Sequence, residues 1–131
     1  MGVFRRNRIR DWRQAEEAAA RCLRKAGCRR VSLTQGSADG GIDVVTACWA
    51  VQVKHTAKRV GRPVLQQTVG AALSLGRRPA VFSTSGFSGP AIAYAKEHDV
   101  ALFELKLNGS ARSVSHTARY VGKRLRRTTH R

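Results

Sequence analysis

Apolar and polar positions along the chain alternate in two different periods, which predicts short strands interleaved with helices. Apolar residues at three- and four-residue spacing indicate amphipathic helices, while β-branched runs of five to seven residues indicate strands. The predicted elements are a helix at 12–26, a strand at 28–34, a hairpin with strands at 42–46 and 49–55, a helix at 64–75, a strand at 79–84, a helix from 89 or 90 to 97, and a strand at 100–105.

The hairpin carries polar groups on one of its faces. A tight turn at residues 47–48 would place Asp43 opposite Gln52, with Lys54 next to Gln52 on the same face, because side chains alternate along a strand. The opposite face would be apolar, with Ile42, Val44, Thr46, Trp49, Val51 and Val53. From the residues alone, Asp43 and Lys54 are read in two ways. They form either an exposed ion pair of under about 1 kcal/mol or part of a site.

The net charge of the chain predicts that this α/β domain has a polyanionic partner. The 131 residues suit one domain, and 25 Lys and Arg against 8 Asp and Glu give a net charge of +17. The excess lies mostly at the ends. Residues 1–10 carry four Arg and no acid, residues 106–131 carry eight Lys or Arg and no acid, and the middle is only +5. We therefore expect two basic arms, both flexible, on a moderately basic domain.

Membrane and secreted classes are not indicated by the sequence. No apolar run approaches the roughly 18 residues of a membrane span, and no apolar segment follows the basic N-terminus as in a signal peptide. The three cysteines lack the spacing of zinc ligands and are odd in number, which favours free thiols in a reducing compartment. The expected location is cytoplasmic.

Three segments together resemble one nuclease family. These are the Asp-Gly-Gly-Ile-Asp run ending at Asp43, the Val-Gln-Val-Lys-His run at 51–55, and the Ser-Thr-Ser-Gly-Phe-Ser run at 83–88. With the Glu-bearing first helix, they resemble the Mrr-like restriction endonuclease branch of the PD-(D/E)xK nuclease superfamily, in its Gln-x-Lys form. The resemblance spans roughly residues 11–105.

The resemblance implies a fold and a division of the chain. The fold is a restriction-endonuclease-like three-layer α/β core, with a central mixed sheet flanked by helices in the order αβββαβαβ. Residues 1–10 would be a basic N-terminal arm, 11–105 the nuclease domain and 106–131 a basic C-terminal tail.

The resemblance also implies the catalytic residues, which are Glu16, Asp43, Gln52 and Lys54. Asp43, Gln52 and Glu16 would supply oxygen ligands to Mg²⁺, with Mn²⁺ as an alternative ion. Glu17 would replace Glu16 if the helix were rotated. Asp39, in the glycine-rich loop before the hairpin, is either a turn residue or an extra ligand.

Three functions follow as expectations. The first is a Mg²⁺-dependent DNA endonuclease of the Mrr-like restriction type. The second is a structure-selective nuclease similar to Holliday-junction resolvases, and the third is a nucleic-acid-binding protein without catalysis. The expected partner is DNA. A homodimer would cut both strands, and a separate recognition subunit would supply the DNA-recognition domain that Mrr-type proteins usually carry.

Overall fold

The computed structural model describes residues 8–35 and 41–121 of the chain. These residues form three α-helices, six β-strands and one 3₁₀ helix. In chain order they are α1 (Trp12–Lys25), β1 (Ser32–Leu33), β2 (Val44–Val45), β3 (Trp49–Lys54), α2 (Arg62–Ser74), β4 (Arg78–Ser83), α3 (Gly89–His98), β5 (Ala101–Leu105), β6 (Ala111–Ser113) and the 3₁₀ helix (Thr117–Tyr120).

The six strands form one mixed sheet in sequence order, β1-β2-β3-β4-β5-β6. β1, β2 and β3 pair antiparallel, β3, β4 and β5 pair parallel, and β6 returns antiparallel to β5. The two parallel pairs require crossovers, and α2 and α3 provide them. The predicted α/β class, with a central mixed sheet flanked by helices, is confirmed.

Each face of the sheet is covered by helix. α1 is packed on one face through its alanines and Leu23, and small side chains let the helix approach β3 closely. Its first turn is capped by Asp11, whose side chain accepts a hydrogen bond from the Gln14 N–H at 2.8 Å. α2 and α3 cover the other face, where Leu65, Val81 and Leu102 form a second apolar cluster.

The C-terminal side of the domain extends past the predicted end at residue 105. Strand β6 pairs with β5, and Ala118 and Val121 are buried in the same cluster as α1. The expected flexible tail is therefore wrong for residues 106–121. The reason is that backbone pairing and two small buried contacts fix a segment that has few large apolar residues.

The same holds at the N-terminal end for residues 8–10, which were expected to belong to a mobile arm. Ile9 is only 4% exposed, and its N–H donates to the Leu107 carbonyl at 2.7 Å. The predictions for residues 1–7, for Asp39 and for residues 122–131 concern parts of the chain outside the described ranges. None of the helices in the described ranges is both long and apolar enough to cross a membrane.

A substitution at Ser115 would test whether the segment after residue 105 belongs to the folded domain. Its hydroxyl accepts from the buried Leu102 N–H and donates to the Val100 carbonyl, both at 2.9 Å. Ser115→Ala leaves that N–H without a partner, so the free energy of unfolding in urea should fall by about 1–3 kcal/mol. Ser110→Ala, in the exposed β5–β6 turn, should change it by less than about 0.5 kcal/mol. Equal stability of the two variants would contradict the packing of this segment.

Candidate active site

The β2–β3 hairpin has the predicted register. Val44 pairs with Val51 and Val45 with Ala50. The Ala-Cys turn, unfavourable by composition, is held by the Thr46 hydroxyl, which accepts from the N–H groups of both turn-closing residues, Cys48 at 3.2 Å and Trp49 at 2.9 Å. A threonine side chain thus stabilises a turn whose central residues are not the Asn-Gly or Asp-Gly pairs of commoner hairpins.

The hairpin becomes irregular at Asp43. The Asp43 N–H donates to the Val51 carbonyl at 2.8 Å, although the register partner of Val51 is Val44. Two residues of one strand thus lie opposite one residue of the other, which is the arrangement of a β-bulge. As a result Ile42 packs on the α2 side, while Val44 packs on the α1 side. The prediction that these two residues share a face is wrong for this reason.

The bulge directs the Asp43 carboxylate along the edge of β3. Its Oδ2 accepts a hydrogen bond from the Val53 N–H at 2.7 Å. The Asp43 backbone is fixed on the other side as well, because its carbonyl accepts from the Thr34 N–H at 2.9 Å. Asp43 is therefore held rigidly at three points, and its carboxylate lies toward α1.

Helix α1 brings a second carboxyl group to this carboxylate. Glu16 is in hydrogen-bonding contact with Asp43, whereas Glu17 is exposed. Burial, and then the charge of Asp43, raise the pKa of Glu16 to about 7. Burial also raises the pKa of Asp43, partly offset by the hydrogen bond from Val53. At neutral pH Glu16 is therefore close to the midpoint of its titration, and it keeps a proton to a much higher pH than an ordinary glutamate.

Lys54 ends β3 beside this pair. Its positive charge acts on the Asp43 carboxylate and partly opposes the effect of burial on the pKa of Asp43. The Lys54 carbonyl accepts from the Thr84 N–H at 3.0 Å, so the backbone at this end of β3 is tied to the segment after β4. The structure therefore brings Glu16, Asp43 and Lys54 together.

Gln52 lies on the α2 side of β3 and is only 3% exposed. Its Oε1 accepts from the Thr68 hydroxyl of α2 at 2.5 Å. Its Nε2 lies beside Gly41, where a Cβ would approach it to 2.6 Å. In the described residues no hydrogen bond joins Gln52 to Asp43 or to Glu16. The predicted meeting of Gln52 with Asp43 on one face of the hairpin is thus not what the structure shows, because of the bulge.

Sequence reasoning missed Thr68 as a partner of the site. Thr68 is fully buried on the face of α2 that packs against the sheet. Its hydroxyl also lies 2.8 Å from the Val64 carbonyl. A hydroxyl among apolar residues at helical spacing is the signal that could have identified it, because a buried polar group requires a partner.

The carboxyl oxygens of Glu16 and Asp43 are ligands of the kind that a hard cation binds. Two adjoining carboxylates would supply anionic oxygen ligands to such an ion once both are ionised. Across the described ranges, however, no three residues among His, Cys, Asp and Glu cluster closely enough to hold a metal by themselves. Any further ligands would have to be amide or backbone carbonyl oxygens or water, which Mg²⁺ accepts.

Comparison with protein families gives the class to which this fold and site belong. A family model described as restriction endonuclease, the Mrr catalytic model, matches residues 8–107. The chain therefore belongs to the Mrr-like restriction endonuclease family, whose members are nucleases acting on DNA. Comparisons with curated proteins and with solved structures gave no significant match.

The raised pKa of Glu16 predicts how stability depends on pH without added metal. Its ordinary pKa is 4.5 and its folded value about 7, so the folded state binds more protons than the unfolded state between these values. The free energy of unfolding should therefore fall as pH rises from about 4.5 to about 7. Glu16→Gln should flatten this decline in urea titrations, while Glu17→Gln should keep it. A decline of the same size in Glu16→Gln would show that the proton lies elsewhere.

Proposed function

We propose that the protein is a Mg²⁺-dependent endonuclease of the Mrr-like restriction type, which hydrolyses phosphodiester bonds of DNA in the cytoplasm. The observation that supports this best is the contact between Glu16 and Asp43, two partly buried carboxyl groups beside Lys54. A chain with a net charge of +17 suits a polyanionic substrate. Glu16, Asp43 and Lys54 are three of the four catalytic residues that the family resemblance implies.

Asp43 and Glu16 would hold the ion, with Mn²⁺ as an alternative to Mg²⁺. When bound, a divalent ion neutralises the phosphate and stabilises the charge that develops during hydrolysis. Asp43 is suited to this role because the Val53 N–H fixes its carboxylate. The backbone carbonyl of Val53 is a further candidate ligand, since it lies between Gln52 and Lys54. Glu16 must give up its proton before it can act as an anionic ligand.

Lys54 would position the attacking water and stabilise negative charge on the phosphate. The ammonium group of a lysine presents three hydrogen-bond donors. Because its backbone is tied to Thr84, the base of the side chain is held in a fixed place. We assign no proton transfer to Lys54.

Gln52 is proposed as a third, neutral ligand that exchanges its contact with Thr68 for the ion. Thr68 has one hydroxyl proton and two acceptors within reach, Gln52 Oε1 and the Val64 carbonyl. The hydroxyl can therefore bond to Val64 alone when the Gln52 oxygen is used elsewhere. This lowers the cost of moving the amide, because no buried hydroxyl is left without an acceptor.

Cleavage of both strands requires two such sites, so we propose that double-strand breaks are made by two copies of the chain related by symmetry. Each site hydrolyses one strand. We also propose that a separate recognition subunit supplies sequence or modification specificity.

Asp43→Ala and Lys54→Ala should each lower the rate of Mg²⁺-dependent nicking of plasmid by about a hundredfold or more, because each removes a group placed at the reacting phosphate. Binding to duplex DNA in the presence of a chelator should remain largely intact. Plasmid conversion on gels and fluorescence anisotropy would measure the two effects.

Lys96→Ala, in the exposed last turn of α3, is the matched control for loss of one positive charge and should keep its cleavage rate. Full metal-dependent activity in either Asp43→Ala or Lys54→Ala would contradict the assignment of the site. A comparison of linear duplex with four-way junctions tests the resolvase-like alternative. A wild-type protein that binds DNA and never cuts it would favour a binding function alone.

A further inference from the structure

A basic loop follows directly after Lys54. We define it as residues 55–61, the connection between β3 and α2. Lys58 and Arg59 are exposed in this loop. The chain contains no Asp or Glu from Val44 to Lys96, so neither cation has an acidic neighbour nearby in sequence. In the described ranges the ion pairs are His98–Glu97 and Arg112–Glu104, and neither involves the loop.

The backbone of the basic loop is hydrogen-bonded at its far end to the segment after β4. The Val60 N–H donates to the Gly86 carbonyl and the Val60 carbonyl accepts from the Ser88 N–H, both at 2.9 Å. Val60 and Phe87 form an isolated bridge and are both buried. Since the near end is tied through Lys54 and Thr84, both ends of the loop are fixed.

Side chains fix the middle of the loop. The Ser85 hydroxyl donates to the Lys58 carbonyl at 2.5 Å, and the Thr56 hydroxyl donates to the same carbonyl at 3.0 Å. Near the start, His55 Nδ1 lies 2.9 Å from the Thr84 hydroxyl. The peptide group between the two exposed cations is therefore held by two donors. The hydroxyls after β4 order the loop and do not extend into solvent as phosphate ligands.

We propose that the basic loop is a preformed contact surface for the DNA backbone beside the cleaved phosphate, with Lys58 and Arg59 on neighbouring phosphates and Ser85 as a positioning residue. This inference rests on the proposed nuclease function. A loop ordered before binding loses less entropy when the complex forms. It also presents the two cations without an internal carboxylate that would compete with phosphate.

The length of the loop limits which phosphates it can reach. Lys58 lies four positions after Lys54 in the sequence, so their Cα atoms are at most about 14 Å apart. One strand of duplex DNA carries a phosphate every 3.4 Å or so along the axis. The contacts made by Lys58 and Arg59 should therefore fall within a few nucleotides of the bond that is cut.

The test measures binding without cleavage. A fluorescently labelled duplex is titrated with protein in chelator at several salt concentrations, and the slope of log affinity against log salt is determined. Lys58→Ala with Arg59→Ala should make the slope shallower by about 1.8, since each phosphate contact contributes about 0.9. Lys58→Arg with Arg59→Lys should restore it. A matched control, Lys25→Ala with Lys96→Ala, removes the same charge from two helix ends and should leave the slope near wild type.

Ser85 needs a measurement that separates positioning from charge. Ser85→Ala removes one hydrogen bond and no charge, so affinity should fall about two- to tenfold with the salt slope unchanged. Ser85→Thr, which keeps the hydroxyl, should recover the affinity. Ser74→Ala removes a comparable hydroxyl-to-carbonyl bond in α2 and should have no effect on binding.

An unchanged slope in the Lys58 and Arg59 double variant would overturn the inference while leaving the proposed nuclease function intact, provided that the wild-type protein cuts. Unchanged affinity in Ser85→Ala would overturn the positioning role of Ser85. A wild-type protein that neither binds nor cuts duplex DNA would overturn the proposed function and this inference together.

Discussion

The hydrogen bond from the Val53 N–H to the Asp43 carboxylate is the contact on which the site depends. It exists because the bulge at Asp43 moves that residue out of the regular alternation of β2. A regular strand would direct the carboxylate to the α2 face. Instead the carboxylate lies toward α1, where Glu16 meets it, and both groups become hard to ionise because burial disfavours their charged forms. The fold thus places two carboxyl groups together, and the charge of Lys54 only partly offsets the effect of burial on the pKa of Asp43.

Much of the fold could be predicted because it follows from local patterns. The order of helices and strands, the hairpin register and the Asp11 cap each depend on a few adjacent residues. The bulge could not be predicted from alternation, since alternation assumes that it is absent. Strand β6 reads Ala-Arg-Ser and carries no apolar period, so only its pairing with β5 shows it. The bulge and strand β6 both depend on contacts between residues distant in sequence. A local pattern of apolar and polar residues does not predict such contacts.

The sequence predicted which residues form the candidate site better than it predicted how they are arranged. Glu16, Asp43 and Lys54 meet at the end of β3, but the position of Gln52 depends on Thr68 and Gly41, two residues that the hairpin alone does not indicate. With glutamine in place of an acid, the site has one negative charge fewer. Ion binding therefore depends more strongly on the ionisation of Glu16. Contacts with the DNA backbone, for which the basic loop is suited, would add phosphate oxygens to the same region.

We expect a divalent cation to displace the proton that Glu16 retains beside Asp43. Calorimetric titration with Mg²⁺, in two buffers of different ionisation enthalpy, measures the protons released per ion bound. At pH 6, below the pKa of about 7 of Glu16, we expect release of about one proton. At pH 9 we expect release close to zero, and Glu16→Gln should release fewer protons than wild type at pH 6. Mg²⁺ binding with no proton release at pH 6, or with release unchanged in Glu16→Gln, would contradict the account.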